Sequence, residues 1–315
     1  KIEIAASLCK VDLVSDLVGE YPELQGTMGK YFAEVQGFDP DVSLAISDHY
    51  LPTGINSLVP KKPVSCAVAI VDKIDTLVGF FGINERPTSS KDPFALRRCA
   101  IGLLRIIIEN NLVIRLKDII NYSIIIYSEQ NIKLKNKSVT MEIIDYLRNR
   151  LKNLLKEQKI RNDIIEAAIS LHKGDEFLSL YKKCLVMNKN ISRDIGKDIV
   201  STYKRVSNII DQEVNNRNEK IMGQPNSILF NKKEEKLLLE KINEIRKYFL
   251  SAMKEESYDQ TLKILAGAKL ITDNFFDNVI VNDENREIKK NRLELLQMFC
   301  KTYNNFIDFS KIEGA

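Results

Sequence analysis

Ser90-Lys91-Asp92-Pro93-Phe94-Ala95-Leu96-Arg97-Arg98 joins a helix start to two adjacent cations at the mouth of a long apolar run. Asp92 is placed as an N-cap, where a carboxylate accepts from the free backbone N–H groups of a first turn. Pro93 suits the first helical position, since its missing N–H is not needed there and its φ is already helical. The helix predicted from there to about Glu109 is apolar on most of its circumference: Phe94, Leu96, Ile101, Leu103, Leu104, Ile106, Ile107 and Ile108. Such a helix is buried rather than amphipathic. Arg98 and Arg105 sit seven residues apart on one face, and a buried guanidinium must find carboxylates, phosphates or carbonyls. Two readings stay open: a structural ion-pair network, or a surface that meets phosphate.

Upstream of this stretch, helical periodicity is broken by Gly and Pro. Ile4, Leu8, Val11 and Leu13–Val14 mark one helix, interrupted at Gly19-Glu20-Tyr21-Pro22, where the proline biases Tyr21 away from α. Residues 25–35 read as a second helix and 40–50 as a third. A loop rich in Pro52, Gly54, Pro60 and Pro63 precedes a long apolar helix over 64–81, and 82–90 form the loop that leads to Asp92. Downstream of Val113 the helices become longer and more polar. Ile143, Ile144, Leu147, Leu151, Leu154 and Leu155 form a stripe flanked by Arg148, Arg150 and Lys152. Further helices are expected near 161–171, 175–186, 193–215, 232–254, 257–270 and 286–308, with turns at 223–227 and 282–285. β-type alternation is nowhere sustained, so the expected fold class is all-α.

The 315 residues leave room for two domains with sizeable cores, and 44% hydrophobic with 29% charged residues reads as an ordinary soluble globular protein. No apolar run reaches the roughly 18 residues a bilayer crossing needs, so no membrane partner is expected. The chain opens at Lys1, in what reads as mid-helix, and is expected to be a piece of a longer polypeptide. Its five cysteines (Cys9, Cys66, Cys99, Cys184, Cys300) are odd in number and scattered, with no Cys-x-x-Cys pair. Free thiols in a reducing cytosol fit that pattern, so a cytoplasmic location is expected. His49 and His172 are the only histidines, which argues against His-rich metal chemistry. The net charge of +4 is uneven: residues 1–110 carry 11 Lys and Arg against 14 Asp and Glu, and 111–315 carry the other 36 against 29. A basic second half points to a polyanionic partner, although richness in Lys, Ile and Asn is also a background composition bias.

Five constellations bear on chemistry. Around Ala5-Ala6-Ser7-Leu8-Cys9-Lys10-Val11-Asp12 the rhythm is that of a metal-dependent HD phosphohydrolase helix, but Lys10 and Val11 stand where His-Asp would be needed. Asp12 and Asp72 without imidazoles make a poor transition-metal site, so no metal is expected. Asp72 and Asp75, three apart on an apolar helix, are expected to neutralise Lys10, Arg97 or Arg98. His49 at a helix end reads as a capping or hydrogen-bonded residue rather than a general base. Tyr203-Lys204-Arg205-Val206-Ser207-Asn208-Ile209-Ile210 and Asn291-Arg292-Leu293 set cations and Asn amides into apolar stripes. Cations position a phosphate backbone, and amides and rings read splayed bases; a solvated helical face is the plainer alternative. Phe275-Phe276-Asp277-Asn278-Val279 reads as a core anchor and a turn.

Together these stretches resemble the β subunit of the bacterial α2β2 glycyl-tRNA synthetase family. The matches are Lys10-Val11-Asp12-Leu13-Val14, Val18 to Gly26 with Met28-Gly29, His49-Tyr50, Asp72 to Gly79, and Pro87-Thr88 leading into Ser90 to Arg98. Lys204-Arg205-Val206 with Asn208-Ile209, Phe275 to Val279 and Asn291-Arg292-Leu293 continue them. Asn84 and Ser89 depart from it, standing where the family tends to carry glycine. The resemblance implies a degenerate HD-like helical domain over 1–112, a helical connector over 113–140, and a helical-bundle anticodon-binding domain over 141–315. It implies partners, namely tRNA(Gly) and a catalytic α subunit holding ATP and magnesium, with no cofactor and no catalytic residue in this chain. The expected RNA-binding residues are Lys204, Arg205, Asn208, Asn291 and Arg292, with Lys91, Arg97 and Arg98 second. Lys10, Asp12, Asp72 and Asp75 are expected in structural ion pairs. The alternatives are an HD-type phosphohydrolase and a purely structural scaffold for the α subunit.

Overall fold

The computed structural model describes residues 1–314 except 55, 89–90, 172–173, 218–220, 222 and 256, and only the backbone of 215–217, 250, 253 and 254. Ser90 at the head of the deciding stretch, Ser89 and His172 therefore lie outside the described residues. Among the described residues every regular element is helical, and no helix is long and apolar enough to cross a membrane. Two compact units divide the chain: Lys1–Leu154 with Gly174–Leu178, and Leu155–Lys173 with Ser179–Ala315. The sequence boundaries at 112 and 140 both fall inside the first unit.

The first unit holds α1 (Ile2–Leu8), α2 (Asp16–Glu20), α3 (Thr27–Val35), α4 (Pro40–Asp48), α5 (Pro63–Gly82), α6 (Leu96–Glu109), α7 (Leu116–Glu129) and most of α8 (Val139–Glu157). α5 is its centre. Val68, Ala69, Ile74, Leu77 and Val78 are almost wholly buried, and α4, α6 and α7 pack on it. The single helix expected from Ile4 to Val14 is instead α1, a 3-10 turn over Val11–Val14, and then α2. The break comes from Asp12. Its carboxylate turns inward and accepts from the amides of Gly26 (2.6 Å) and Gly29 (3.1 Å) at the start of α3, while Ser15 caps α2.

α6 starts at Leu96 rather than Pro93. Pro93 and Phe94 form a turn and Ala95 adopts a left-handed φ of 53°. Asp92 remains the cap from outside the helix, its two oxygens accepting from the amides of Leu96 (2.8 Å) and Arg97 (2.9 Å). Phe94, expected on the buried face, is exposed and stacks on Phe80 at 4.1 Å.

Helices α5, α6 and α7 end alike. Asn84, Asn111 and Asn131 take φ of 68°, 52° and 61°, and the next amides (Glu85, Leu112, Ile132) bond back to the carbonyls of Phe80, Ile107 and Tyr127 at 2.9 Å. That is the six-to-one closure of a Schellman cap, with asparagine in the place glycine usually takes. Asn84 is thus a non-glycine residue in a conformation that favours glycine.

The second unit holds α9 (Asn162–Leu171), most of α10 (Phe177–Asn190), α11 (Asp194–Arg217), α12 (Lys233–Lys254), α13 (Tyr258–Ala266), α14 (Lys269–Asn278) and α15 (Arg286–Asn304). α11 and α12 each pack on α13, α14 and α15. Tyr203, Phe299, Tyr303, Phe306 and Phe309 form an aromatic core. The helix expected over 257–270 divides at Gly267–Ala268, which lets Leu265 and Ala268 both bury completely. The last helix stops at Asn304, short of 308, because Phe306, Ile307 and Phe309 turn into the core and Asp308 donates its amide to Ala167. Asn285, in the turn expected at 282–285, caps α15 through its side-chain oxygen. All five cysteines are free thiols.

Candidate functional site

α11 is oriented by its buried side, where Tyr203, Val206 and Ile210 enter the core. Its other side presents Arg205 and Asn208, both exposed and one turn apart, with Lys204 half-buried beside them. α14 lies alongside. The guanidinium of Arg205 sits over the ring of Phe276, 4.5 Å from its centroid, and reaches Asp273 at 3.1 Å. Asp273 also pairs with Lys269 at 3.0 Å, so two cations share one carboxylate and the group keeps a positive excess. Exposed pairs of this kind add little stability. What they do is hold a guanidinium over an aromatic face. Phe275 is the core anchor the sequence predicts, wholly buried, whereas Phe276 is only half-buried and stands edge-on to it.

Asn291 and Arg292 are not on that surface. Arg292 is 2% exposed, and every guanidinium nitrogen is taken. Nε donates to Glu235 at 2.9 Å, Nη1 to the Ile280 carbonyl and Asp283, and Nη2 to the Asn231 side chain. Asn291 is 3% exposed and clasps the backbone of Asn226 in both directions, accepting at 2.6 Å and donating at 3.0 Å. Their expected RNA contact is therefore corrected: both hold loops onto α15. Glu235, fully buried, also accepts from the amides of Asn231 and Lys232 at the start of α12. The sequence signal for it was a glutamate at the third helical position, where it caps.

In the first unit Lys91 and Arg98 are exposed, while Arg97 is half-buried and donates to the Thr88 carbonyl. Lys10 pairs with Asp72 as expected. Among the described residues Asp12 forms no ion pair and is instead the cap of α3, one oxygen accepting from two amides that the helix start leaves unpaired. Asp75 is exposed, close to Lys10 and to the Tyr127 hydroxyl, with no ion pair among the described residues. His49 is wholly buried, its Nδ1 2.7 Å from the Ile46 carbonyl and its Nε2 without a partner. Burial holds the imidazole below its usual pKa. The adjacent Lys73 is 5% exposed, donates to the His49 carbonyl at 3.0 Å and is pulled down by burial in the same way. Among the described residues no three His, Cys, Asp or Glu side chains are grouped to hold a metal ion.

The family model described as glycyl-tRNA synthetase beta subunit matches residues 1–170, more than half of the chain. The chain belongs to the glycyl-tRNA synthetase beta subunit family. A second match, the DALR anticodon binding domain, covers residues 199–313. Arg205, Asn208 and Phe276 fall inside the DALR match, and Lys10, Asp72, Arg97 and Arg98 inside the beta-subunit match. Among curated relatives, the glycine–tRNA ligase beta subunit of Rickettsia canadensis is 38% identical over 309 residues, 98% of this chain. Those of Rickettsia africae and Rhodospirillum centenum are 37% and 35% identical over 312 and 315 residues. The chain spans 44% of the length of each.

Proposed function

We propose that this beta-subunit chain is the tRNA-gripping part of a glycine–tRNA ligase, with the α11–α14 face as its contact in the second unit. The observation that carries the reading is the guanidinium of Arg205 held over Phe276 beside Asn208, inside the match to an anticodon binding domain. A half-buried ring at the surface, a planar cation and an amide are groups that stack and hydrogen-bond unpaired bases. In the whole protein, ATP drives the joining of glycine to tRNA(Gly) at a separate α subunit that binds ATP and magnesium. That protein is an α2β2 heterotetramer of the cytoplasm. The first unit is a degenerate HD-like domain, in which the Lys10–Asp72 pair stands where such a domain would hold a metal.

Filter binding of this chain to tRNA with a glycine anticodon tests the grip directly. Lys204→Ala with Arg205→Ala removes up to two phosphate or base contacts, so affinity falls and the salt slope shrinks by about 1–2. Phe276→Ala weakens binding by about 1–3 kcal/mol if a base stacks there. Affinity and salt dependence unchanged in both variants would move the contact elsewhere.

A further inference from the structure

In the first unit a polar cleft of about 310 Å³ is lined by Pro87, Thr88, Arg97, Tyr146 and Arg150. Two arginines line it, and no carboxylate is among its described lining residues. Arg97 donates to the Thr88 carbonyl, and Arg150 lies over the Tyr146 ring, 5.0 Å from its centroid. Neither arginine forms an ion pair among the described residues. The Nε of Arg150 and the hydroxyl of Tyr146 are both buried without a hydrogen-bond partner. Buried donors are almost always satisfied, and two cations at one cavity repel each other. Asp92, an acid close enough to act on Tyr146, has both oxygens committed to the amides of Leu96 and Arg97. Burial also pushes the Tyr146 phenol up to about 12, so at neutral pH it keeps its proton and can donate it to an anion.

We propose that this cleft seats a phosphate group, held by the guanidinium groups of Arg97 and Arg150 and by the Tyr146 hydroxyl. A phosphate offers oxygens in several directions, which suits three donors from two helices better than the single plane of a carboxylate. The site uses none of the α11–α14 residues, so it stands or falls separately from the tRNA contact proposed above. The phosphate belongs either to an RNA backbone or to a free phosphorylated molecule, and the test separates these.

Inorganic phosphate is titrated against the whole chain at constant ionic strength, followed by calorimetry and phosphorus NMR line width. The wild type binds saturably; Arg150→Gln weakens binding about tenfold or more, as loss of a charge-assisted contact does. Arg150→Lys keeps part of the affinity, and Tyr146→Phe lowers it several-fold. Circular dichroism checks the fold, and should Arg150→Gln unfold, Tyr146→Phe carries the comparison because it removes a single oxygen. Competition by phosphate against tRNA, with both weakened by the variants, assigns the seat to an RNA backbone. Intact tRNA affinity beside lost phosphate binding assigns it to a free phosphorylated molecule. Absence of saturable phosphate binding in the wild type, or equal affinities in wild type, Arg150→Gln and Tyr146→Phe, overturns the proposal.

Discussion

Arg292→Ala distinguishes a core guanidinium from an RNA ligand, and its size can be worked from the partners. Removing one member of a buried pair leaves the other charge uncompensated, at about 3–5 kcal/mol. Glu235, with 0% exposure, is that other member. Lost bonds to the Ile280 carbonyl and the Asn231 side chain add about 1 kcal/mol each. Asp283 is 28% exposed, so its share of the pair is taken over by water and contributes under about 1 kcal/mol. Glu235 keeps its two amide donors, which offsets part of the loss. A net destabilisation of about 4 kcal/mol follows, large beside the roughly 5–15 kcal/mol that holds a domain together. In urea, with a slope of about 2 kcal/mol/M, the transition of the second unit moves down by about 2 M. The loss is read from helical circular dichroism. Arg292→Met with Glu235→Met, which removes both charges, recovers only part of it, because the amides of Asn231 and Lys232 then lose their acceptor. An Arg292→Ala protein within about 0.5 kcal/mol of wild type, yet impaired in tRNA binding, would show that the side chain faces ligand and that the buried network is not the reason for it.

Other outcomes follow from single sites. Asn111→Gly and Asn131→Gly raise the stability of the first unit by a few tenths to about 1 kcal/mol each and the alanine variants lower it, because both positions hold positive φ; thermal melts read the sign. Lys73 is held below its ordinary value of 10.5 by burial, so just below that pH the unfolded chain binds more protons and stability rises with pH. Lys73→Met flattens that rise, and an unchanged slope across pH 8–10, checked by urea melts at each pH, would remove Lys73 as its source. Asp12→Ala strips the cap from α3 and costs about 1–2 kcal/mol; Asp12→Asn retains an acceptor oxygen and loses less, measured in the same melts.

Helices were legible wherever a stripe met a strong stop. Pro40 opens α4 as a first-turn proline should, and the turn expected at 282–285 leads into α15, while Pro63, read as loop, proves to be the first residue of α5. Errors gathered where one side chain made a long-range bond that periodicity cannot show. The carboxylate of Asp12 reaches 14 and 17 residues along the chain to Gly26 and Gly29 and so ends the first helix early. Asp92 reads as an N-cap and does cap, but from outside the helix, because Ala95 takes the left-handed turn between them. The Lys10–Asp72 pair was legible because a carboxylate on the apolar helix α5 has few other partners, although Lys10 itself lies in the exposed turn after α1. The cleft of Arg97, Tyr146 and Arg150 was not, since its members lie some fifty residues apart with no spacing rule between them.

The two cation-plus-amide motifs show why residue type alone cannot separate grip from core. Lys204-Arg205 with Asn208, and Asn291-Arg292, look alike as strings. They differ in how much of each helix the neighbours cover. Around Arg205 burial alternates, with Tyr203 and Val206 in and Arg205 and Asn208 out, so the helix has a dry side and a wet one. From Asn291 to Leu296 six consecutive residues are buried, so α15 is enclosed at that level and any charge there must be met inside the protein. The carboxylate that meets it, Glu235, is supplied from 57 residues away, by a residue whose capping role gives its own reason to be there. A cation near RNA therefore needs two conditions that a string cannot state: an open helical side, and a local partner loose enough to yield. Arg205, with an exposed face and a carboxylate shared with Lys269, meets both; Arg292 meets neither.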